Sequence, residues 1–393
     1  VDGQILDPEV QQFISANTTA DVSQLALTKN PFPAIGFKEI LSQISARSKA
    51  KDKLPTWFKT PSIYYPPKIS VEQSSSEKTA RYKATLVGGQ NLFDLTGGFG
   101  VDDLYFSKAI PSVIHCELNA QLSAIVAHNF EVLGIQNVKC KTGDSTEWLK
   151  VLGRKFDWLY IDPSRRNDTK GKVFLLKDCL PNVPSLLDFY LSFSDNILVK
   201  TAPILDITAG LGELKSVKAI HIVAVENEVK ELLWIISNKY EGNVEIVTVN
   251  LVGDNAQHFS FAFGSRKPAV SYGLPATYLY EPNAAIMKSG GFEHIGAAYQ
   301  LDKLHQHSHL YTSGELRNDF PGRIFRIDNS AAYTKNNMKE FVAGSKANVS
   351  VRNFPETVET LRKKWKITDG GNVYCFFTTN ISNDKIVLLC SKI

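Results

Sequence analysis

The sequence is poor in the features that would mark a stapled, metal-bound or membrane protein. It has five cysteines in 393 residues, at positions 116, 140, 179, 375 and 390. They are odd in number, widely scattered and never in a C-x-x-C pair, which argues against a zinc ribbon or a disulfide framework and leaves reduced, mostly buried thiols. The longest apolar runs, such as Ile197–Val199 and Ile386–Cys390, are far too short to span a bilayer. No signal peptide is visible, so a soluble cytoplasmic protein is expected. The chain starts at Val1 rather than Met, so residue 1 is not taken as the natural start. Charge of one sign is also lacking: 44 Lys and Arg against 40 Asp and Glu leave +4, which permits a nucleic-acid partner without pointing to one. There is no internal repeat.

What is present suits a folded protein of two or three domains, with 43% apolar and 21% charged residues. Residues 1 to about 80 read as helical and irregular, punctuated by Pro31, Pro33, Pro55, Pro61, Pro66 and Pro67. Ser74 and Glu77 have capping-box spacing and predict a helix running to about Val87. From about residue 90, short apolar strands alternate with helical stretches. Asn91–Leu95, Ser112–Glu117, Val138–Thr142, Trp158–Asp162, Ile197–Thr201, Ala219–Val225 and Val244–Val249 read as strands; Ala120–Leu133 and Val183–Phe193 read as helices. This alternation predicts a parallel sheet covered by helices, with ligands at the carboxyl ends of its strands. After about residue 266, Pro268, Pro275 and Pro282 suggest a linker. The last 60 or so residues read strand, helix, strand, strand (Val349–Arg352, Thr357–Trp365, Val373–Thr378, Lys385–Cys390), part of a small α+β domain with an antiparallel sheet.

Four strand ends carry chemistry. The first is Asp94-Leu95-Thr96-Gly97-Gly98-Phe99-Gly100-Val101-Asp102, whose glycines allow a tight turn and a close ligand approach. It fails the dinucleotide fingerprint, because Asp103 stands where the last Gly would be. Asp94 would repel a pyrophosphate but suit an ammonium. Glu117 ends the next strand, where a carboxylate can accept both hydroxyls of a ribose. Gly143-Asp144 follows the third strand and offers either an acceptor for an adenine amine or a turn carboxylate. The fourth strand ends Asp162-Pro163-Ser164-Arg165-Arg166. There Pro163 stiffens a loop that turns a carboxylate into the cleft, and paired arginines suit phosphate or carboxylate.

These elements resemble the class I S-adenosylmethionine-dependent methyltransferases over roughly residues 74–260. Asp94 to Gly100 is similar to the first family motif, with Thr96 in place of its first Gly. The resemblance implies S-adenosylmethionine as cofactor, held by Asp94, Thr96, Gly98, Gly100, Glu117 (ribose) and Asp144 (adenine). It also implies Asp162 and Pro163 as the catalytic fourth motif. The whole chain resembles a bacterial group of these enzymes with a THUMP-like C-terminal domain, through Gln73 to Glu77, Asp94 to Asp102, Asp162 to Arg166, Lys200-Thr201-Ala202-Pro203 and Tyr278-Leu279-Tyr280-Glu281-Pro282. THUMP domains in other proteins bind RNA, so the resemblance implies a structured RNA substrate such as tRNA or rRNA.

The fourth motif narrows the reaction. Ser164 and Arg165 replace the Pro-aromatic pair usual in methylases of exocyclic amines. The uracil C5 methylases need a Cys nucleophile after the fifth strand, and Val199-Lys200-Thr201-Ala202-Pro203 has none. Direct methyl transfer remains, with Asp162 orienting or deprotonating the nucleophile and Arg165 and Arg166 holding an acidic group. Among lesser features, His305, His307 and His309 would share one face of a strand, but no further metal ligands are evident. Arg362-Lys363-Lys364 beside Trp365 is either a solvated face or an RNA contact through Lys363. Phe376-Phe377 reads as core. The expected architecture is a helical region over 1–80, a Rossmann-like seven-stranded α/β methyltransferase domain over 81–265 and a THUMP-like, ferredoxin-like α+β domain over 266–393. Two alternatives stand beside RNA methylation: a methyltransferase of a protein or small molecule, and a non-catalytic RNA-binding protein that keeps the cofactor fold. Oligomeric state is not legible.

Overall fold

The computed structural model describes residues 1–165 and 175–393. Two compact units divide the chain: Val1–Ala219 with Leu232–Gly242, and Ile220–Glu231 with Asn243–Ile393. No helix among the described residues is long and apolar enough to cross a membrane.

The first unit opens with helices that own no separate core. Helix α1 (Pro8–Ala16) starts on Asp7, whose side chain accepts from the Glu9 amide, with proline in its first turn. Helix α2 (Phe37–Lys53) buries Ile40, Gln43, Ile44, Ala46 and Ala50 along one stripe. These side chains pack with Trp57, Tyr65, Phe99, Leu104, Ile125 and Phe130 in one cluster. The next long helix, α3 (Glu77–Ala84), begins on Ser76, which accepts from the Thr79 amide. The expected Ser74–Glu77 capping box is therefore not formed. Glu77 instead accepts from the Thr56 amide at 2.6 Å, the Thr56 hydroxyl at 2.8 Å and the Tyr105 hydroxyl. The helix also ends three residues short of Val87, at Ala84.

The sheet that begins in this unit contains β1 (Asn91–Asp94), β2 (Ser112–Glu117), β3 (Val138–Thr142), β4 (Trp158–Ile161), β5 (Asn196–Thr201), β6 (Val217–Val225) and β7 (Glu228–Ser237), in the order β3-β2-β1-β4-β5-β7-β6, with Ile220–Glu231 of the β6–β7 hairpin belonging to the second unit. The first five are parallel, with Phe93 beside Ile114 on one side and Leu159 on the other. They are joined by α4 (Val101–Ala109), α5 (Ala120–Val132), α6 (Ser145–Leu152) and α7 (Val183–Phe193). Strand β7 runs antiparallel to β5, with Val199 opposite Trp234. It returns from β6 through Glu226-Asn227, both at positive φ, the backbone that two-residue hairpin turns use to match strand twist. The fold is Rossmann-like, as expected, but the sheet has nine strands rather than the expected seven, because Glu228–Ser237 and Asn255–Ala262 were not foreseen as strands.

The second unit contains a hairpin, β8 (Glu245–Val252) with β9 (Asn255–Ala262), and a seven-stranded sheet. That sheet is built from β10 (Tyr278–Pro282), β11 (Asp302–Lys303), β12 (Tyr311–Ser313), β13 (Gly322–Ala332), β14 (Asn348–Val351), β15 (Val373–Thr379) and β16 (Lys385–Lys392), in the order β11-β12-β10-β13-β16-β15-β14. Pro282 thus ends a strand rather than marking a linker. The neighbouring strands of this sheet pair antiparallel except β14 with β15, because helix α8 (Val358–Trp365) crosses between them and returns the chain in the same direction. Phe376 and Phe377 are both fully buried and point into different clusters, the core role expected for them.

Candidate active site

The site is built at the carboxyl ends of β1, β2, β4 and β5. The turn after β1 is shaped by its neighbours. A Cβ on Gly97 would lie 2.1 Å from His115 Cε1, and one on Gly100 would lie 2.8 Å from both Phe130 and Val126. Gly98, at φ +55, would meet only the Thr96 carbonyl at 3.8 Å. The turn therefore packs tightly at Gly97 and Gly100 and is open at Gly98. Glu117 Oε2 accepts from the Gly98 amide at 3.0 Å, and its Oε1 accepts from the Asn119 amide at 2.7 Å. This carboxylate ties the glycine turn to the end of β2 and stays part-exposed. Leu118 beside it is 75% exposed.

Asp94 is more enclosed than an ammonium-holding role suggests. It is 1% exposed, and its Oδ1 accepts from the Thr96 amide at 2.8 Å. Burial first, then the neighbouring Asp103, pushes its carboxyl well above the usual range. Asp103 is raised in the same way, by burial and then Asp102. His115 Nδ1 lies 2.7 Å from Asp103 Oδ2, and burial lowers the pKa of its imidazole. Asp144 caps α6: its Oδ1 accepts from the amide of Thr146 at 2.7 Å and from its hydroxyl at 2.5 Å. The hydroxyl bond chiefly holds its carboxyl below the usual range.

Asp162 follows β4. Its amide donates to Thr96 Oγ1 at 2.7 Å, linking the fourth strand end to the first. Its Oδ2 meets Lys200 Nζ at 2.5 Å. Lys200 stands in β5, next to the terminal Thr201, and its side chain is only 14% exposed. Among the described residues, no hydrogen bond engages Asp162 Oδ1. Pro163 is buried behind it. Ser164-Arg165 pairs antiparallel with Cys179-Leu180. Arg166 and the side chain of Arg165 lie outside the described residues, and so do the two arginine contacts expected there.

With this geometry in view, the comparisons with known proteins are decisive for the family. A crystal structure of a candidate methyltransferase from Porphyromonas gingivalis W83 matches with a TM-score of 0.88 and 30% identity, covering 100% of this chain and 98% of the other. The chain belongs to the same methyltransferase family as that protein, with a THUMP-like C-terminal domain. Family models agree for the second unit: a ferredoxin-like domain matches residues 278–321 and a THUMP domain-like model matches residues 322–392. Partial likenesses include a candidate methyltransferase from Escherichia coli (16% identity, TM-score 0.31, 42% of this chain and 85% of that one). Another is an rRNA methylase from Streptococcus thermophilus (13%, 0.30, 41% and 96%). These two fix nothing about the substrate. Comparison with curated proteins gave no match.

In this methyltransferase, sequence reasoning passed over three features. Lys200 was noted within a motif but given no role, because a lysine near a strand end reads as solvated. His115 and Asp103 form the buried floor under the glycine turn, and neither has a sequence pattern that announces it. Leu118 could have been found as an apolar residue just past the carboxylate of Glu117 that ends β2.

Away from these strand ends, His305, His307 and His309 do not share a strand face. They lie in the turn before β12. His305 contacts Asn383 and Asn353, and His309 stacks on Phe292 at 3.6 Å. Among the described residues, no three His, Cys, Asp or Glu side chains converge as a metal site. On α8, Arg362 pairs with Asp369, and Lys364 meets Glu356 and the Tyr333 hydroxyl. Lys363 is exposed. None of the five cysteines, all among the described residues, is in a disulfide, and four are buried, as expected.

Proposed function

We propose that the chain transfers a methyl group directly to a nucleophile in a structured RNA, with Asp162 as the residue that receives or orients the nucleophile's proton. The observation that carries this reading is the open Oδ1 of Asp162, on a carboxylate whose other oxygen is held by Lys200 and whose backbone is held by Thr96. A fixed carboxylate with one open oxygen can accept from a substrate N–H or O–H without first reorganising. Pro163 limits movement of the loop behind it.

The glycine turn supports S-adenosylmethionine as the cofactor, since Gly98 leaves open space where any side chain would stand and Glu117 borders it. When bound, this cofactor supplies a methyl group already activated on a sulfonium. Glu117 would hold the ribose, Leu118 would cover the neighbouring ring, and Asp144, the cap of α6, would reach the adenine amine. Glu117→Ala is expected to weaken S-adenosylmethionine binding about tenfold to a hundredfold, the worth of hydrogen bonds to a charged group. Calorimetry on the full chain measures it. No binding of S-adenosylmethionine or S-adenosylhomocysteine, alongside tight binding of NAD, would sink the cofactor reading.

The THUMP domain-like segment supports RNA as the substrate. Two of the three cations on α8 are paired with carboxylates, which leaves Lys363 as the contact proposed there. Binding of the full chain to tRNA should weaken with salt. Lys363→Ala should lower the slope of log affinity against log salt by about one. An unchanged slope removes Lys363 from the interface. Modified nucleosides in total RNA from deletion and parent cells, compared by mass spectrometry, test the RNA reading itself.

A further inference from the structure

Asp162 and Lys200 stand side by side on neighbouring parallel strands, one step beyond the pairing of Ile161 with Val199. The ammonium is held largely out of water beside a carboxylate that keeps one oxygen open. The site thus presents a hydrogen-bond acceptor and a cationic donor next to each other, and that combination discriminates between classes of nucleophile. Methyl transfer to a neutral amine builds positive charge on the accepting nitrogen, which a nearby, partly desolvated ammonium opposes. Transfer to a ring nitrogen that gives up its proton works the other way. The charge left behind spreads onto an adjacent carbonyl oxygen, where an ammonium stabilises it.

We propose that Asp162 and Lys200 bind the N–H and C=O of a lactam, the edge that guanine and uracil present and that adenine lacks. Asp162 Oδ1 accepts from the ring N–H, and Lys200 donates to the carbonyl oxygen. In the step, the N–H proton passes to Asp162. The nitrogen's electron pair forms the new bond to the methyl carbon of S-adenosylmethionine, and the carbon–sulfur bond breaks with its pair left on sulfur. One sulfonium charge and one carboxylate charge disappear together, so the step is balanced. Ser164 and Arg165, in place of the Pro-aromatic pair of amine methylases, agree with this assignment. The inference rests on the methyltransferase reading of the same site and narrows it to lactam nitrogens.

Two measurements on the full chain test it. In saturation-transfer NMR, guanosine or uridine monophosphate should bind at least about tenfold more tightly than adenosine and cytidine monophosphates. Lys200→Met should erase that preference and Lys200→Arg should retain it. In RNA from cells lacking and expressing the protein, the nucleoside that appears with expression should carry its methyl on a lactam ring nitrogen. The single-turnover rate of Lys200→Met should fall about a hundredfold at neutral pH and recover as rising pH deprotonates the lactam unaided. A methylated exocyclic amine, a preference for adenosine or cytidine, or a pH-independent loss overturns the proposal. If no nucleoside is methylated, the RNA reading falls and the binding measurement still decides: no preference for oxo-bases overturns the lactam pair, and a preference erased by Lys200→Met upholds it.

Discussion

Asp162→Asn is expected to lower the single-turnover rate of methyl transfer about a hundredfold or more, with S-adenosylmethionine affinity nearly unchanged. The substitution keeps the shape of the side chain and its backbone bond to Thr96, but it removes the negative charge and the basicity. In the proposed site, cofactor affinity would rest on Glu117 and the glycine turn, which the substitution does not touch. It does separate Lys200 from its counter-charge, and a part-buried ammonium without its carboxylate costs stability. Rate and stability must therefore be measured on the same preparations, by rapid-quench methyl transfer and chemical denaturation. If the variant is destabilised but transfers methyl at the parent rate, Asp162 only supports the loop and the proposed mechanism is wrong.

Lys83→Met should unfold the first unit at markedly lower denaturant, with a loss on the order of 3 kcal/mol. Lys83 is fully buried and lies 3.0 Å from Asp102 Oδ1. It also donates to Ser75 Oγ at 2.8 Å, while Asp102 Oδ2 accepts from Ser75 at 2.9 Å and from Tyr160 at 2.7 Å. This network joins α3, the serine run before it, α4 and β4. Methionine nearly matches lysine in volume, so packing is kept while Asp102 loses its buried counter-ion. The double variant Lys83→Met/Asp102→Leu should recover much of the loss, since removing both partners leaves no uncompensated charge. Near-ultraviolet circular dichroism during urea unfolding follows the transition. A loss below about 1 kcal/mol for the single variant would make the network incidental to stability.

This network also gives the run Gln73-Ser74-Ser75-Ser76-Glu77 its physical meaning. Locally it reads as a helix start, and Ser76 does cap α3. Yet Ser75 faces Lys83 and Asp102, and Glu77 is drawn to Thr56 and Tyr105. Two polar residues that look like capping chemistry, Ser75 and Glu77, hold the N-terminal helices to the helix layer of the sheet.

Much of the first unit was legible because its signals are local. Strands β1 and β4 are short apolar runs that stop at Asp94 and Asp162, β3 stops at Gly143, and β2, β3 and α7 fall where the pattern put them. The glycine turn could be read because only glycine reaches φ +55 and +73 without strain. Strand β7 was missed because Leu232 to Ile236 is a continuous apolar run with no alternation. Its direction follows from pairing with β5, more than 30 residues earlier in the chain. The positive-φ turn at Glu226-Asn227 was the available sign, and Asn without Gly is a weak one.

The site divides along the same line. Glu117 and Asp162 could be nominated from sequence, because a carboxylate at the end of a parallel strand must face the cleft where ligands sit. The enclosure of Asp94 could not, since it depends on Asp103 from α4 and His115 from β2 meeting beneath the turn. Nor could the pairing of Asp162 with Lys200 across 38 residues. Backbone preference and apolar period act over a few neighbouring residues, so they specify strands, turns and which carboxylates end them. The partner of a charged side chain is chosen by distance in the folded chain. Which carboxylates are buried, which stay open and which cation stands beside the reacting group were therefore set by tertiary packing alone.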